Sequence, residues 1–578
     1  MRAPTTLPAL LCLLTVAGCS AGGSGEDGGS NGAPLRSLDL AAISSGDPGL
    51  LRLHGSTGNG SFGVPVSGGH DLDADGENDL ALAAMRATVS GQGNAGEVWV
   101  LFGDGTVTGA VDTAVANPRV LRIQGSAAFE NAGSEVWMDD VTGDGIAELL
   151  VARQNFSPAP DRTGAGALTI LLGGPALAAQ AASGEPVDLG APPVGLTVTT
   201  LVGAERLDRL GMWMRTGDVT GDGIADLLVS ADQEDDDGAP DSGAAYLIRG
   251  GPALAAGGTI DLLDFGTTAL PGDIAKISPP PGSIEFHFGA TCQVADLDGN
   301  GRAEVLVAAT LNRAGGTLSA GPGTSGSAHG RGGAVDGRLY IAWDDNFEGI
   351  WANGLHFTMD AAPGDTSEIQ GESRNVSFGE ELLGGLDFDD DGFADLFVGD
   401  IVGDLDGARP NSGSGHLIYR AADLRGAPPI DLDTPPPGLR MTTFVGADVG
   451  DIASDTALQG DFDGDGLPDL AFCSPHGSPY GRREAGIIHI FHGQSGPFPE
   501  RIDLRWGQQP PAAQARLSEV HGVFAGDVLC YSGDAGDHDQ DGREDLIVNE
   551  MLGDGLSPGT ADVGNLIVVS GDRIAALP

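Results

Sequence analysis

The chain has 578 residues, a formal net charge of −53, 95 glycines, 35 prolines and few aromatics. That charge excludes nucleic acid as a partner, because phosphate contacts need clustered Lys and Arg. Abundant turn formers point to turn-rich all-β structure, and the acids are unevenly spread, 25 of the 82 standing at the ligand positions of seven short loops, which argues against the disorder that such a charge otherwise implies.

Residues 1–19 read MRAPTTLPALLCLLTVAGC. Arg2 gives a positive start, and Leu7 to Val16 form an apolar core too short to span a bilayer, the pattern of a secretory signal. The sequence Val16-Ala17-Gly18-Cys19 resembles the lipobox of bacterial lipoproteins, with Val16 in place of the more usual leucine. That resemblance implies cleavage of a signal peptide spanning 1–18 and lipidation of Cys19. With Ser20 next, it also implies residence on the bacterial outer membrane or cell surface. The alternative is an ordinary cleaved signal with an incidental cysteine. Residues 19–35 form a Gly/Ser-rich tether. The match to a nucleophile elbow at 28–32 lacks the strand and helix that motif requires.

From residue 36 onward one grammar repeats seven times. A Phe-Gly-like dipeptide opens each of the first five units, at Phe62-Gly63, Ala132-Gly133, Leu210-Gly211, Phe288-Gly289 and Phe378-Gly379; Gly450 and Gly526 mark the last two. An acidic loop follows, then a short Leu/Val-rich strand, then a strand opened by glycine, such as GEVWVLFG from Gly96. Five units continue to a strand containing Asp-Leu, as at Val187-Asp188-Leu189 and Ile502-Asp503-Leu504. Seven units of four short antiparallel strands predict a seven-bladed β-propeller over 36–578, because a lone blade cannot bury both faces and a closed ring gives each blade two neighbours. The last unit lacks an Asp-Leu strand, and an unpaired copy, Ser37-Leu38-Asp39-Leu40, precedes the first. The expectation is that this copy completes the seventh blade and closes the ring.

The acidic loops carry the chemistry. Side-chain oxygens stand at positions 1, 3, 5 and 9: Asp71, Asp73, Asp75 and Asp79 in the first loop; Asp140, Thr142, Asp144 and Glu148 in the second; Asp218, Thr220, Asp222 and Asp226 in the third; Asp296, Asp298, Asn300 and Glu304 in the fourth. Asp387, Asp389, Asp391 and Asp395 form the fifth; Asp461, Asp463, Asp465 and Asp469 the sixth; Asp537, Asp539, Asp541 and Asp545 the seventh. Hard oxygens in this density suit Ca²⁺, which takes six to eight of them. Glycine at position 6 permits the sharp reversal. An EF-hand needs Glu at position 12 and flanking helices; here the acid stands at position 9 and a strand follows. None of the ligand positions is His or Cys, which disfavours zinc. Thr142, Thr220 and Asn300 lower the charge of the second, third and fourth loops, so those are expected to bind Ca²⁺ more weakly. No CxxC occurs, and Cys292, Cys473 and Cys530 read as buried free thiols.

The Phe-Gly dipeptide, acidic loop and Gly-initiated strand resemble FG-GAP repeats, the blades of integrin α-subunit propellers and many bacterial surface proteins. The resemblance implies that the calcium loops join the first and second strands of each blade on a lower face, with position 7 adding its carbonyl. It places ligand contacts on the upper face. The upper loops include a Gly/Ser-rich stretch at 315–333 and an acidic run at 232–237. HExxH is absent and no Ser/His/Asp grouping emerges. The expected function is therefore a lipid-anchored, calcium-binding surface module for an extracellular protein or polysaccharide, in adhesion or envelope organisation. The alternatives are a secreted lyase or hydrolase acting on carbohydrate or phosphoester, and a passive envelope scaffold.

Overall fold

The computed structural model describes residues 36–577 apart from 45, 57–60, 236–238, 268–272, 284–286, 311–336, 348–353, 361–365, 373–376, 406, 506 and 557–561. The leader, Cys19, the tether and the 315–333 loop lie outside the described residues.

Seven sheets surround one axis. Blade one runs outward from Val66–His70 through Asp79–Ala84 and Glu97–Leu101 to Val120–Gln124, all antiparallel. The innermost strands of successive blades touch around the ring, and the innermost strand of blade seven, Leu529–Gly536, meets Val66–His70 of blade one. Second and third strands are unbroken apolar runs because both sheet faces are covered. In Asp79–Ala84, Ala81 and Ala83 pack toward blade two with Val136, Met138 and Val151. Leu80 and Leu82 of the same strand pack toward blade seven with Ile547, Leu566 and Val568. The core is thus seven wedges of apolar contact between neighbouring sheets.

Each sheet has five strands rather than four. The Asp-Leu strand is not its own unit's fourth strand. It leaves its unit after the third strand and pairs in parallel with the outer edge of the preceding blade. Val187–Asp188 lies on Val120–Gln124, and Arg501–Asp503 lies on Met441–Val445. The chain then returns to form its own fourth strand, such as Val198–Val202 or Leu517–His521. Every neighbouring pair of blades is stitched this way, which also covers an edge that would otherwise expose unpaired backbone groups.

Ring closure uses two N-terminal strands. Arg36–Asp39 is the outer parallel strand of blade six, not a member of the seventh blade. The strand that completes blade seven is Leu50–His54, antiparallel to Asn565–Val569. Its own outer partner is Thr108–Asp112 from unit one. The chain ends therefore fall inside unit seven, between its third strand and its stitch.

The glycine that opens the third strand is required by the next blade. A Cβ on Gly96 would sit 2.1 Å from the Ala132 carbonyl oxygen, and one on Gly564 would sit 2.4 Å from that of Phe62. The Phe-Gly dipeptide of one unit thus lies directly on the opening glycine of the unit before, and at Phe62 this contact closes the circle. Cys473 of blade six and Cys530 of blade seven are disulfide-bonded, with Cα atoms 5.8 Å apart, which corrects their reading as free thiols. Spacing along the chain could not show that adjacent blades bring them together. Cys292 is free and buried.

Candidate metal centres

All seven acidic loops join the first and second strands of a blade, so they lie on one face. Position 1 folds the loop. Asp71 Oδ1 accepts N–H groups from Ala74 (2.7 Å) and Asp75 (3.2 Å), and its Oδ2 accepts from Gly76 (2.9 Å). Asp140, Asp218, Asp296 and Asp461 repeat the pattern, and Asp387 and Asp537 keep its last two bonds. Position 5 accepts from the N–H of position 7, as Asp75 does from Glu77 (2.9 Å). At position 6, Gly76 has φ 96°, and a Cβ there would meet nothing within 4 Å. The left-handed backbone, not crowding, demands glycine.

Position 9 is a buried staple. Asp79 accepts from Leu72 N–H (2.7 Å) and from Gly103 N–H (2.8 Å), tying the loop to the end of the third strand. Asp395 and Asp545 do the same with Phe388 and Arg420, and with His538 and Gly571. Burial, with neighbouring carboxylates acting in the same direction, pushes Asp79, Asp395 and Asp545 up to about 7 and Asp226 up to about 6. Burial likewise raises Glu148 and Glu304 to about 8. Crowded carboxylates of this kind are relieved by a cation.

The ligand positions converge. One oxygen from each of Asp71, Asp73 and Asp79 lies within 4.8 Å of the others. The same holds for Asp296, Asp298 and Glu304, for Asp387, Asp389 and Asp395, and for Asp461, Asp463 and Asp465. Loop five is the most explicit. Arg440 donates to Asp389 Oδ2 (2.5 Å) and Asp391 Oδ2 (2.6 Å), which fixes both carboxylates from outside. Their other oxygens, Asp389 Oδ1 and Asp391 Oδ1, are buried without a hydrogen-bond donor. Thr220 Oγ1 in loop three is buried without a partner as well. Buried oxygens in this state fit a cation, since leaving them unsatisfied is costly.

Two kinds of residue were missed by sequence reasoning. Arginines grip loop carboxylates from outside: besides Arg440, Arg249 donates to Asp222 Oδ2 (2.8 Å). For Arg440 the usable signal was an arginine next to the start of a fourth strand, as in Arg440-Met441 and Arg516-Leu517, whereas Arg249 directly follows a third strand. His492 was the second omission. It directly follows the third strand of blade six and turns its ring into loop six.

The opposite face carries the loops between second and third strands and the turns between blades. In the described part of the acidic run, Glu234 accepts from Tyr246 Oη (2.9 Å) and pairs with Lys276 (2.6 Å), so this acid is built into blade three. Four turns between blades place a large apolar side chain in solvent one to three residues before Glu130, Asp208, Asp451 and Asp527 respectively. Phe129, Leu207, Val449 and Phe524 are 64, 42, 65 and 63 % exposed. Phe129 and Leu207 do so at φ 64° and 71°, a left-handed conformation that non-glycine residues seldom adopt.

Against known proteins, the FG-GAP repeat model matches residues 62–101 and 211–248. The chain therefore carries FG-GAP repeats, set in a seven-bladed β-propeller. Among solved structures, the Dos1 propeller is similar at 8 % identity over 90 % of this chain and 94 % of its own, with a TM-score of 0.38. The exotype rhamnogalacturonan lyase YesX shows 13 % identity over 90 % and 76 %, TM-score 0.35. The rhamnogalacturonan lyase YesW shows 11 % over 90 % and 91 %, TM-score 0.26. A search of curated proteins gives no match.

Proposed function

We propose that this chain is a calcium-loaded propeller that acts as a binding module at the cell surface, held to a membrane by lipid on Cys19 and presenting its upper face to an extracellular protein or polysaccharide. The calcium reading rests on loop five, where Asp389 Oδ1 and Asp391 Oδ1 point inward unpartnered while Arg440 holds the other two oxygens. Asp387, Asp389, Asp391 and Asp395 would hold the ion, whose contribution is to neutralise their charge and fix the first hairpin of the blade.

The binding reading rests on one observation, the recurrence of Phe129, Leu207, Val449 and Phe524 in solvent on equivalent turns of one face. Single exposed apolar residues need no explanation, whereas a repeated set on one face marks an interaction surface. Two of them hold a backbone conformation that costs energy and yields no burial in return.

Two experiments test these readings. Metal analysis and thermal melting, with and without chelator, measure calcium. A hundred-fold excess over Kd stabilises by about 2.7 kcal/mol per independent site, so a chelated protein that melts unchanged overturns the calcium reading. Screening the calcium-loaded protein against extracellular polysaccharides and proteins measures binding. A variant with Phe129, Leu207, Val449 and Phe524 all changed to Ser is expected to lose at least ten-fold in affinity for any hit. Unchanged binding by that variant, or turnover of the hit, overturns the binding-module reading.

A further inference from the structure

Loop six differs from the other six in a way that bears on which metal it takes. The residue immediately after the third strand is Phe102, Leu172, Arg249, Trp343, Tyr419 and Ser570 in blades one, two, three, four, five and seven. In blade six it is His492, fully buried. Its Nδ1 lies 3.0 Å from Asp469 Oδ2 and 3.2 Å from Asp463 Oδ2, the carboxylates of positions 9 and 3. All three groups can meet one ion, their ligand atoms lying within 4.8 Å of one another. We infer that the sixth loop is a mixed nitrogen–oxygen centre for a borderline divalent transition metal ion of the Zn²⁺ class, built from Asp463, Asp469 and His492, the one loop whose ligand group, as found among the described residues, joins a histidine of the third-strand end to its carboxylates.

Three features carry this. Ca²⁺ is an oxygen-seeking ion, whereas imidazole is a preferred ligand of zinc and its neighbours in the transition series. Ligands 2.0–2.1 Å from a tetrahedral zinc stand about 3.3 Å apart, close to the spacings around His492 Nδ1. The outer contacts are those of a built metal site. Ser518 Oγ lies 2.8 Å from His492 Nε2, and with Nε2–H donating to it the Nδ1 lone pair faces both carboxylates. That tautomer is the one a metal ion selects, since a metal-ligating imidazole donates its other N–H to a fixed outer partner. Asp469 is fixed by N–H donors from Phe462 (3.1 Å) and Gly493 (2.9 Å), and Asp463 Oδ1 by that of Asp465 (3.2 Å). Arg516 stands 3.7 Å from Asp465, so the position-5 carboxylate of this loop is shared with a guanidinium.

The inference rests on the reading of these loops as cation sites, and the test separates the two. Protein in millimolar Ca²⁺ is titrated with Co²⁺, whose ligand-field bands report nitrogen ligation. One equivalent of tightly held Co²⁺ is expected, displaced by Zn²⁺. In His492→Gln the band disappears and Zn²⁺ affinity falls on the order of 100-fold, while Ser518→Ala weakens it about 10-fold through loss of the outer contact. Calcium bound elsewhere with no Co²⁺ retained overturns this inference and leaves the calcium reading standing. One Co²⁺ with no calcium does the reverse. The same band in His492→Gln overturns it. Should that variant fail to fold, X-ray absorption of the zinc-loaded wild type decides. One imidazole in the shell supports the assignment. An all-oxygen shell means that His492 Nδ1–H only donates to the carboxylates, and two imidazoles would place the ion at His489 and His521; either overturns it.

Discussion

A guanidinium fork recurs at the rim of this molecule. Arg162 donates to both oxygens of Asp261 (2.8 and 2.7 Å), Arg409 to both of Asp503 (3.0 and 3.1 Å), and Arg482 to both of Asp39 (3.1 and 2.7 Å). Each pair joins the upper loop of one blade to the aspartate of the strand stitched onto it by the next unit. This explains why the stitch carries Asp at that place. Burial alone would raise the Asp503 carboxyl, but hydrogen bonds from Arg505 and Arg409 hold it below its ordinary value. Arg409 is the most buried of the three arginines. Arg409→Met is expected to cost about 3 kcal/mol, the lower end for breaking a buried pair, and melting by calorimetry checks it. A second titration belongs to this scale. Burial lowers His416 to about 4, so the folded ring stays neutral while the unfolded one gains a proton near 6.5. The contribution of His416 to stability therefore falls as pH drops from about 6.5 to about 4, by up to about 3 kcal/mol. Burial raises Glu519, but hydrogen bonds from His489 and His521 outweigh it and bring it down to about 2. Its contribution is present above the ordinary Glu value and is lost further into acid. His416→Phe should remove the His416 part of the first limb, which His538, lowered by burial to about 4 as well, shares, and leave the second, as read from melting against pH.

Among the elements, second and third strands were legible because burial on both faces forces continuous apolar runs between glycine punctuation. The acidic loops were legible because their fold is local, with position 1 capping its own loop. The fourth strands were not. VLRIQG, VTTLVG, MTTFVG and LLRLHG share an alternating pattern ending in glycine, yet nothing in a strand states its partner. The Asp-Leu runs were seen as strands and given to the wrong blade for the same reason. Parallel pairing with a preceding unit is a long-range choice made by sheet edges in space. The strand-opening glycine supplies an element-scale prediction. A Cβ on Gly413 would lie 2.1 Å from the Ala453 oxygen, so the two blades must separate to admit it. Gly413→Ala is expected to destabilise by more than about 3 kcal/mol, in the range of overpacking with added backbone strain. Denaturant unfolding measures it, and a loss under 1 kcal/mol would show that the turn yields freely.

For the whole molecule, the seam decides stability. Unit seven owns only three contiguous strands, and the N-terminal segment contributes both Leu50–His54 to blade seven and Arg36–Asp39 to blade six. The Cys473–Cys530 disulfide, the Arg482–Asp39 fork and the contact of Phe62 with Gly564 all lie at blades six, seven and one. Deleting residues 36–54 should remove the fourth strand of one blade and the stitch of another, leaving two open edges. The expected outcome is loss of the monomeric, cooperatively melting species, with association through those edges. Size-exclusion chromatography and circular dichroism check this, and a monomer with unchanged melting would show that the ring does not depend on its seam.

The sequence by itself determined that this protein is built of seven repeated all-β units, that each carries a compact loop of hard oxygens, and that the units close on themselves. Those properties follow from local periodicity, from glycine at fixed turns and from the need of each apolar blade for two neighbours. Only the tertiary structure decided which edge each Asp-Leu strand joins, which strand completes the last blade, which cysteines pair, and that His492 enters loop six. These are contacts between segments tens to hundreds of residues apart, and their energies depend on distances that a linear order of residues does not contain.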